Sequence, residues 1–376
     1  MRVGIVTPRY PPNASGGGEV SVQMLAEQLE KKERITDVLV LSFDGKATED
    51  INGVSVRRLG DISSTITEWQ NIRVYPHLKQ YVDKFDVIHA YNMELHPVVG
   101  AVAENGSTAT VGTLNSYHFF PKAVANTSSS RIERLYELVG HPITNRVLQH
   151  FMKKIDRFIA ISNAVRSVYV ERGYDPTQIE VIPNMVDPSF DTDQTSGTES
   201  ESPAKRVLYV GELSERKGVH HLIKAMGSLS DDFHLRVVGD GAEREALEEL
   251  VDKIGATERV TFTGWIPYEK IPGQYAFADV FVHPGVWPEP FGRTVLEAMQ
   301  SGLPVVCTEV GGPADVVRDA ELRVQPGDPK ELATAIERAY DRKENIGRQN
   351  QVYVTDEFGP DAVTDQIVDL YEQVTG

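Results

Sequence analysis

Residues 278–312 read ADVFVHPGVWPEPFGRTVLEAMQSGLPVVCTEVGG, and their apolar pattern predicts the elements of the second half of the chain. The apolar run at 280–282 predicts a buried strand, and a proline-rich loop follows it. A short helix is predicted from about Arg293, and the apolar residues 304–307 predict a second strand. This order of strand, loop, helix and strand indicates the βαβ unit of a parallel sheet. In such sheets ligands bind at the carboxyl ends of the strands, beside the helix N-terminus.

Two carboxylates fall at this ligand-binding edge. Glu289 lies in the proline-rich loop, and Glu297 follows eight residues later, one turn into the helix. The amides of residues 291–295 lie between them and are expected to be unpaired, which makes them a seat for an anion such as a diphosphate. One carboxylate can then accept sugar hydroxyls and the other a ribose hydroxyl. Alternatively, the spacing from Thr294 to Glu297 marks a capping box, in which Glu297 only binds helix amides.

Residues 289–305, EPFGRTVLEAMQSGLPV, resemble the E-x7-E signature of the GT4 family of retaining, nucleotide-sugar-dependent glycosyltransferases with the GT-B fold. The resemblance implies two Rossmann-like, doubly wound α/β domains that face each other across a cleft, with a C-terminal helix that crosses back to the first domain. It also implies sugar transfer from a nucleoside diphosphate with retention of configuration, without a cofactor or a metal.

The resemblance assigns roles to the residues of this signature. Glu289 would hold the hydroxyls of the donor sugar, and Glu297 would hold the ribose. The amides of Phe291 and Gly292 would contact the sugar, and those of Thr294 and Val295 the phosphate.

A second segment of the C-terminal half supports the same assignment. Residues 211–218, GELSERKG, resemble the family segment G-R-L-x(3)-K-G, whose Arg and Lys neutralise the donor diphosphate. Lys217 matches the lysine, whereas Glu212 stands where the family has arginine, so that contact is either lost or supplied by Arg216. Gly211, in this segment, and Gly239, which resembles the family's glycine near the base, complete the predicted nucleotide site.

The N-terminal half resembles the family less closely. Gly16 and Gly17 follow the first predicted strand and are similar to a GG-x-E loop, where glycine lets the backbone approach a phosphate or a sugar. The family usually places a histidine in a Thr-Leu-His-Asp type of sequence, and here that position is Asn115. His118 follows three residues later, so either residue is a candidate for contact with the donor sugar.

Length and composition set the domain organisation. A chain of 376 residues is long enough for two domains. Residues 191–203 are polar, acidic and without periodicity, which is typical of a linker. We therefore predict an acceptor-side domain at 1–190, joined by 360–376, a linker at 191–204, and a nucleotide-sugar-binding domain at 205–359.

Charge and apolar patterning restrict the partners. The net charge of −17 argues against nucleic acid, because phosphate contacts need Lys and Arg. No apolar run approaches the roughly 20 residues of a membrane span, and the N-terminus resembles a strand, so a cytoplasmic location is expected. Residues 131–157 interleave basic and apolar side chains, which suits contact with an anionic membrane or a lipid-phosphate acceptor. The alternative is an ordinary helix with a solvated basic face.

The prediction for the whole chain is transfer of a hexose-type sugar to a glycan or lipid-linked acceptor in glycan biosynthesis. Two alternatives remain from the sequence: a nucleotide-sugar epimerase on the same fold, and a non-catalytic subunit that binds sugar nucleotides. The second is suggested by Glu212 and Asn115, which occupy positions that are usually catalytic. Cys307 is the single cysteine, so no disulfide can form within the chain, and a buried, inert thiol is expected.

Overall fold

This computed structural model describes residues 1–14, 16–62, 67–104, 106–117, 141–190 and 204–376, with the side chains of 141–143 excepted. The described chain divides into two compact units. The first is Met1–Met185 with Pro360–Gly376, and the second is Val186–Gly359. His118 lies outside the described residues, as does the predicted linker apart from Ala204.

The first unit is a sheet covered by helices. Leaving aside short 3₁₀ turns, its elements up to the division are β1 Arg2–Thr7, α1 Gly17–Leu29, β2 Asp37–Ser42, β3 Asp44–Ile51, β4 Val54–Asp61, α2 Thr67–Leu78, β5 Val87–Ala90, α3 His96–Ala103, β6 Ala109–Leu114, α4 His141–Met152, β7 Arg157–Ala160, α5 Asn163–Glu171 and β8 Ile179–Val181. The strand order is β3-β4-β2-β1-β5-β6-β7-β8. All described pairs are parallel except β3 with β4.

Strand β3 is absent from the sequence-based prediction. Its residues are mostly charged or polar and half exposed, so they lack the apolar alternation that marks a strand. The available signal was the pair Asn52-Gly53, whose φ angles of 54° and 85° suit the tight turn of a β-hairpin. An edge strand with charged side chains also resists pairing with other chains.

The second unit repeats the alternation of strands and helices. Its elements are β9 Lys205–Val210, α6 Val219–Met226, β10 Phe233–Val238, α7 Arg244–Lys253, β11 Val260–Gly264, α8 Ile271–Ala276, β12 Val280–His283, α9 Arg293–Gln300, β13 Val305–Thr308, α10 Gly311–Val316, β14 Arg323–Val324, α11 Pro329–Asp341 and α12 Lys343–Phe358. The described strands are parallel, in the order β11-β10-β9-β12-β13-β14. The order reverses between β9 and β12, which is where ligands bind on such sheets.

The last helix, α13 (Pro360–Thr375), belongs to the first unit, as the resemblance implies. Its apolar side chains, among them Ile367 and Val368, share a buried cluster with β1 and α1. Its Tyr371 hydroxyl lies 2.6 Å from Nδ1 of His89, a fully buried residue of β5. Nε2 of the same ring lies 2.7 Å from the Thr113 hydroxyl. His89 therefore ties the returning helix to the sheet.

We expect the stability of the protein to fall in mild acid because of His89. Burial, with a smaller contribution from His96, lowers the pKa of His89 to about 3. An unfolded histidine titrates near pH 6.5, so below that pH the unfolded state binds more protons and stability declines, by at most about 1.4 kcal/mol per pH unit. Melting temperatures of the wild type and His89→Asn should therefore converge between pH 7 and pH 5. An equal gap at both values would contradict the account, and the exposed His77→Asn is the control.

Candidate functional site

The predicted site lies where β12 passes into α9. Gly292 directly precedes the helix with φ +86°, and a Cβ there would lie 2.7 Å from Cγ of Pro313. The N–H of Gly312 donates to the carbonyl oxygen of Glu289 at 2.7 Å. A Cβ on Gly311 would lie 2.6 Å from the Glu289 nitrogen. Glycine at these positions lets α10 pack against the loop and fix the backbone of Glu289.

Glu289 accepts two hydrogen bonds on one oxygen. Oε2 lies 2.6 Å from Nζ of Lys217 and 3.0 Å from Nε2 of His283. Burial opposes ionisation of this carboxyl, but the interactions with His283 and Lys217 outweigh it and hold the pKa of Glu289 well below its usual value. The structure thus brings together Glu289 and Lys217, two predicted residues that lie far apart in the sequence.

Glu297 lies in α9 and is 6% exposed. Its carboxylate accepts from the hydroxyls of Tyr275 at 2.9 Å and Tyr268 at 3.3 Å, and Nε of Arg293 lies 3.6 Å away. Burial raises the pKa of Glu297, although Arg293 and the tyrosine hydroxyls oppose the shift. The capping-box alternative is wrong, because the helix is capped by Gly292 and the Glu297 carboxylate is bound to tyrosines instead.

The expected run of unpaired amides is only partly available. The N–H of Val295 donates to the carbonyl oxygen of Gly292 at 2.9 Å, because the helix closes a tight first turn. The expectation that this amide is unpaired is therefore wrong. Contacts of a ligand with the amides of Phe291, Gly292 and Thr294 stay predictions. Phe291 itself is buried, with its ring 6.3 Å from that of Phe358.

Glu212 does not stand as an isolated negative charge. Its Oε2 accepts from the Arg216 guanidinium at 2.9 Å, and this hydrogen bond is the main reason why the pKa of Glu212 is lowered. Arg216 also lies over the ring of Trp287, 5.6 Å from its centroid. Arg216 is thus held near Lys217, but its charge is partly neutralised by Glu212. Its predicted contact with phosphate remains a prediction.

Gly211 and Gly239 lie at the ends of neighbouring strands. Gly239 has φ +133°, and its N–H donates to the carbonyl oxygen of Gly264 at 2.9 Å. A Cβ on Gly239 would lie 1.9 Å from the carbonyl oxygen of Gly211. Packing alone therefore explains why position 239 is a glycine. Its predicted place near the nucleotide base stays a prediction.

The remaining predicted residues belong to the first unit. Gly16 caps α1, which begins at Gly17, and the Glu19 carboxylate folds back toward Gly16 and pairs with Arg9 at 3.2 Å. Asn115 follows β6, and its Nδ2 donates to the carbonyl oxygen of Tyr91 at 3.2 Å. His118, the alternative to Asn115, lies outside the described residues.

The sequence-based reasoning missed three side chains of the site: His283, Tyr268 and Tyr275. A signal existed for His283, since it is the polar residue that ends the apolar run of β12 at the carboxyl edge of the sheet. No local pattern marks the tyrosines, because they reach Glu297 from a neighbouring helix and the turn before it. Cys307 is buried as predicted, and burial raises its thiol pKa to about 12.

Two other features are absent from the part of the chain that the structure describes. None of the described helices is both long and apolar enough to cross a membrane. Among the described side chains, no group of three or more His, Cys, Asp and Glu residues is arranged to hold a metal ion.

Comparisons with known proteins agree with the predicted family. The family model for Glycosyltransferase Family 4 matches residues 15–190, and the model for Glycosyl transferases group 1 matches residues 191–352. An uncharacterised glycosyltransferase of Methanocaldococcus jannaschii is 27% identical, covering 99% of this chain and 98% of its own. The 2-deoxystreptamine glucosyltransferase of Streptomyces kanamyceticus is 30% identical over 63% of this chain and 66% of its own.

Solved structures confirm the fold class. HepE from Anabaena, in complex with UDP, has a TM-score of 0.75 at 21% identity, covering 99% of this chain and 100% of its own. WaaG, a glycosyltransferase involved in lipopolysaccharide biosynthesis, has a TM-score of 0.66 at 18% identity, covering 100% of both chains. The fold of this chain is thus the GT-B type, with two α/β domains built on parallel sheets.

Proposed function

Because the chain belongs to the group 1 glycosyltransferases, we propose that it moves a hexose-type sugar from a nucleoside diphosphate to a glycan or lipid-linked acceptor with retention of configuration. The observation that carries this proposal is the ion pair of Lys217 with Glu289 at the switch point of a parallel sheet, with the buried Glu297 on the helix that follows Glu289. This arrangement offers a cation for a diphosphate and carboxylates for hydroxyl groups.

The proposed roles follow from charge and geometry. Lys217 and the N-terminus of α9 neutralise the leaving diphosphate, which is the group that gains negative charge as the glycosidic bond breaks. Glu289 accepts hydrogen bonds from hydroxyls of the donor sugar, and Glu297 accepts from the ribose. Retention follows if the acceptor attacks from the face that the diphosphate leaves, with the departing phosphate taking the acceptor's proton. In that case no protein nucleophile is required.

The nucleotide of the donor is best identified by measuring binding directly. HepE was solved with UDP and with UDP-glucose, which supports testing UDP-sugars first. We expect one class among UDP-, GDP- and ADP-sugars to raise the melting temperature by mass action, without any acceptor. Glu297→Ala should cancel that shift, whereas Glu269→Ala, an exposed glutamate, should retain it. The proposal fails if no donor class stabilises the wild type.

A non-catalytic sugar-nucleotide-binding subunit is the second candidate. It is favoured by Glu212, which stands at a usually cationic position and neutralises part of the charge of Arg216. Under this alternative the protein binds a donor but neither hydrolyses nor transfers it. Slow release of nucleoside diphosphate by the purified wild type excludes this alternative, and the anomeric configuration of the product sugar, read by NMR, tests retention.

We also propose that catalysis needs no metal. The charge of the diphosphate would then be balanced by Lys217 and by helix amides. Treatment with a chelator followed by gel filtration should leave the rate of donor hydrolysis unchanged. A loss of activity that added Mg²⁺ or Mn²⁺ restores would refute this part of the proposal.

The lipid-linked acceptor is supported by a surface of the first unit, although residues 131–140 of the predicted membrane segment lie outside the described residues. Trp69, Ile72 and Tyr75 on α2 and Val147 on α4 expose large apolar side chains. Ile72, Tyr75 and Val147 border an apolar groove of about 580 Å³. The basic residues Arg146, Lys153 and Lys154 lie on or next to α4. Exposed aromatic side chains with basic residues nearby in the sequence favour contact with anionic lipid headgroups, although Lys154 is paired with Glu104.

Vesicle flotation tests this membrane contact. The protein should float with vesicles of anionic phospholipid at low salt and much less with neutral phosphatidylcholine vesicles. Ile72→Ser together with Val147→Ser should reduce flotation, whereas Val352→Ser, an exposed valine of the second unit, should not. Equal behaviour of all vesicles and variants would remove the membrane contact.

A further inference from the structure

His283 has one hydrogen bond and a fixed ring. It ends β12, is 4% exposed, and its Nε2 lies 3.0 Å from Oε2 of Glu289. Its Nδ1 is buried and has no hydrogen-bond partner among the described residues. The backbone of Gly285 passes the ring so closely that a Cβ there would lie 3.1 Å from Cε1. The bare Nδ1 favours the tautomer with the proton on Nε2, so that His283 donates to Glu289.

The two donors on Glu289 differ in how firmly they are held. His283 is fixed by the strand and almost wholly buried, whereas Lys217 reaches Glu289 through a flexible stem and is 20% exposed. Both donate to Oε2, and Oε1 accepts no hydrogen bond from the part of the chain that the structure describes. One carboxylate oxygen is therefore anchored, and the other is available for a ligand.

Binding of a diphosphate would change which of these donors contacts Glu289. Its oxygens carry more negative charge than the carboxylate and compete with Glu289 for the Lys217 ammonium. Without a second donor, a mostly buried Glu289 would then lose its partner and its orientation together. His283 cannot follow Lys217, because its ring is packed against Gly285.

We propose that His283 is the positioning residue of the donor site: its Nε2–H anchors Oε2 of Glu289, so that Oε1 holds the donor sugar while Lys217 turns to the diphosphate. The proposal rests on the proposed function and adds to it separate roles for His283 and Lys217. The contact of His283 serves the sugar moiety and not the nucleotide. Loss of this contact should therefore weaken recognition of the sugar and slow transfer, with little effect on the bare nucleoside diphosphate.

Two substitutions separate positioning from simple structural support. His283→Leu removes the donor and keeps an apolar body, whereas His283→Gln places an amide N–H near the position of Nε2. His234→Leu, an exposed histidine on β10, is the matched control. The measurements are calorimetric titration with the nucleoside diphosphate and with its sugar conjugate, and the kcat and KM of donor turnover.

We expect His283→Leu to bind the nucleoside diphosphate within about twofold of the wild type. Its affinity for the sugar conjugate and its kcat should fall by about 10- to 100-fold, the range for a lost hydrogen bond to a charged group. His283→Gln should recover most of both losses. Wild-type behaviour of His283→Leu, equal losses with both ligands, or no recovery in His283→Gln would each overturn the proposal. Failure of the wild type itself to bind any sugar nucleotide would instead refute the proposed function, and this inference with it.

Discussion

Glu289→Gln is expected to lower the rate of sugar transfer by about 10²- to 10³-fold, the cost of removing one preorganised polar group from a catalytic site. The amide keeps the shape of the carboxylate but loses the charge that Lys217 and His283 address. Lys217 would then lack its partner before the donor arrives, and the sugar would lose a charged acceptor for its hydroxyls. The effect should appear in kcat more than in binding of the bare nucleotide.

The control for this prediction is Glu215→Gln. Glu215 is exposed on the turn that carries Lys217, so the change in net charge is the same while no contact with Glu289 is altered. Rates of donor turnover for both variants, with circular dichroism to verify folding, provide the test. Activity of Glu289→Gln within threefold of the wild type would contradict the assigned role.

The same carboxylate makes a pH-dependent contribution to stability. The folded protein holds the pKa of Glu289 below its usual value, so its ionised form stabilises the fold above the ordinary pKa near 4.3. That contribution is lost as the pH falls further toward the folded pKa. Any difference in melting temperature between the wild type and Glu289→Gln at pH 7 should therefore shrink below about pH 4.

Among the substitutions considered, Gly218→Ala is expected to lower the stability of the second unit most. Gly218 has φ +67°, and a Cβ there would lie 2.0 Å from the carbonyl oxygen of Pro284. The positive φ alone costs an alanine about 1–2 kcal/mol. The clash adds to this cost, because backbone cannot yield as a side chain can. Relief of the clash must displace either Lys217, the preceding residue, or the loop that carries Glu289.

Gly255→Ala isolates the cost of the positive φ angle from the cost of the clash. Gly255 has φ +69°, but nothing lies within 4 Å of the Cβ that alanine would add. Thermal unfolding should show a modest loss for Gly255→Ala and a clearly larger one for Gly218→Ala. Only the latter should weaken binding of the nucleoside diphosphate, by about tenfold or more if the loop shifts. Equal losses of stability, or unchanged binding by Gly218→Ala, would show that the approach to Pro284 is unimportant.

Much of the second unit could be predicted because its signals are local. The strand at 280–282, the helix from Arg293 and the spacing of Glu289 and Glu297 are each set by residues within one short stretch. The pairing of Glu289 with Lys217 was not itself predicted, but the two residues follow neighbouring strands of a parallel sheet, and the loops after those strands lie at the same edge. In the first unit, the returning helix α13 was expected from the resemblance to the family.

The rest depends on contacts that no local pattern encodes. The roles of Tyr268 and Tyr275 require the packing of α8 against α9, and the anchoring role of His283 requires the exact path of the loop after β12. The predicted free amide of Val295 failed because the tightness of a first helical turn is decided by its neighbours. The polar residues of β3 did not predict a strand, because an edge strand needs only backbone pairing on one side.

The central claim, transfer of sugar from a nucleoside diphosphate by the Lys217–Glu289 site, is tested most directly by donor turnover. Purified protein is incubated with UDP-, GDP- and ADP-sugars, and release of the nucleoside diphosphate is followed for the wild type and Lys217→Met. The account predicts release from one donor class by the wild type, accelerated by the correct acceptor, and release at least about tenfold slower by Lys217→Met. Turnover of no donor by the wild type, or equal rates for both proteins, would contradict it.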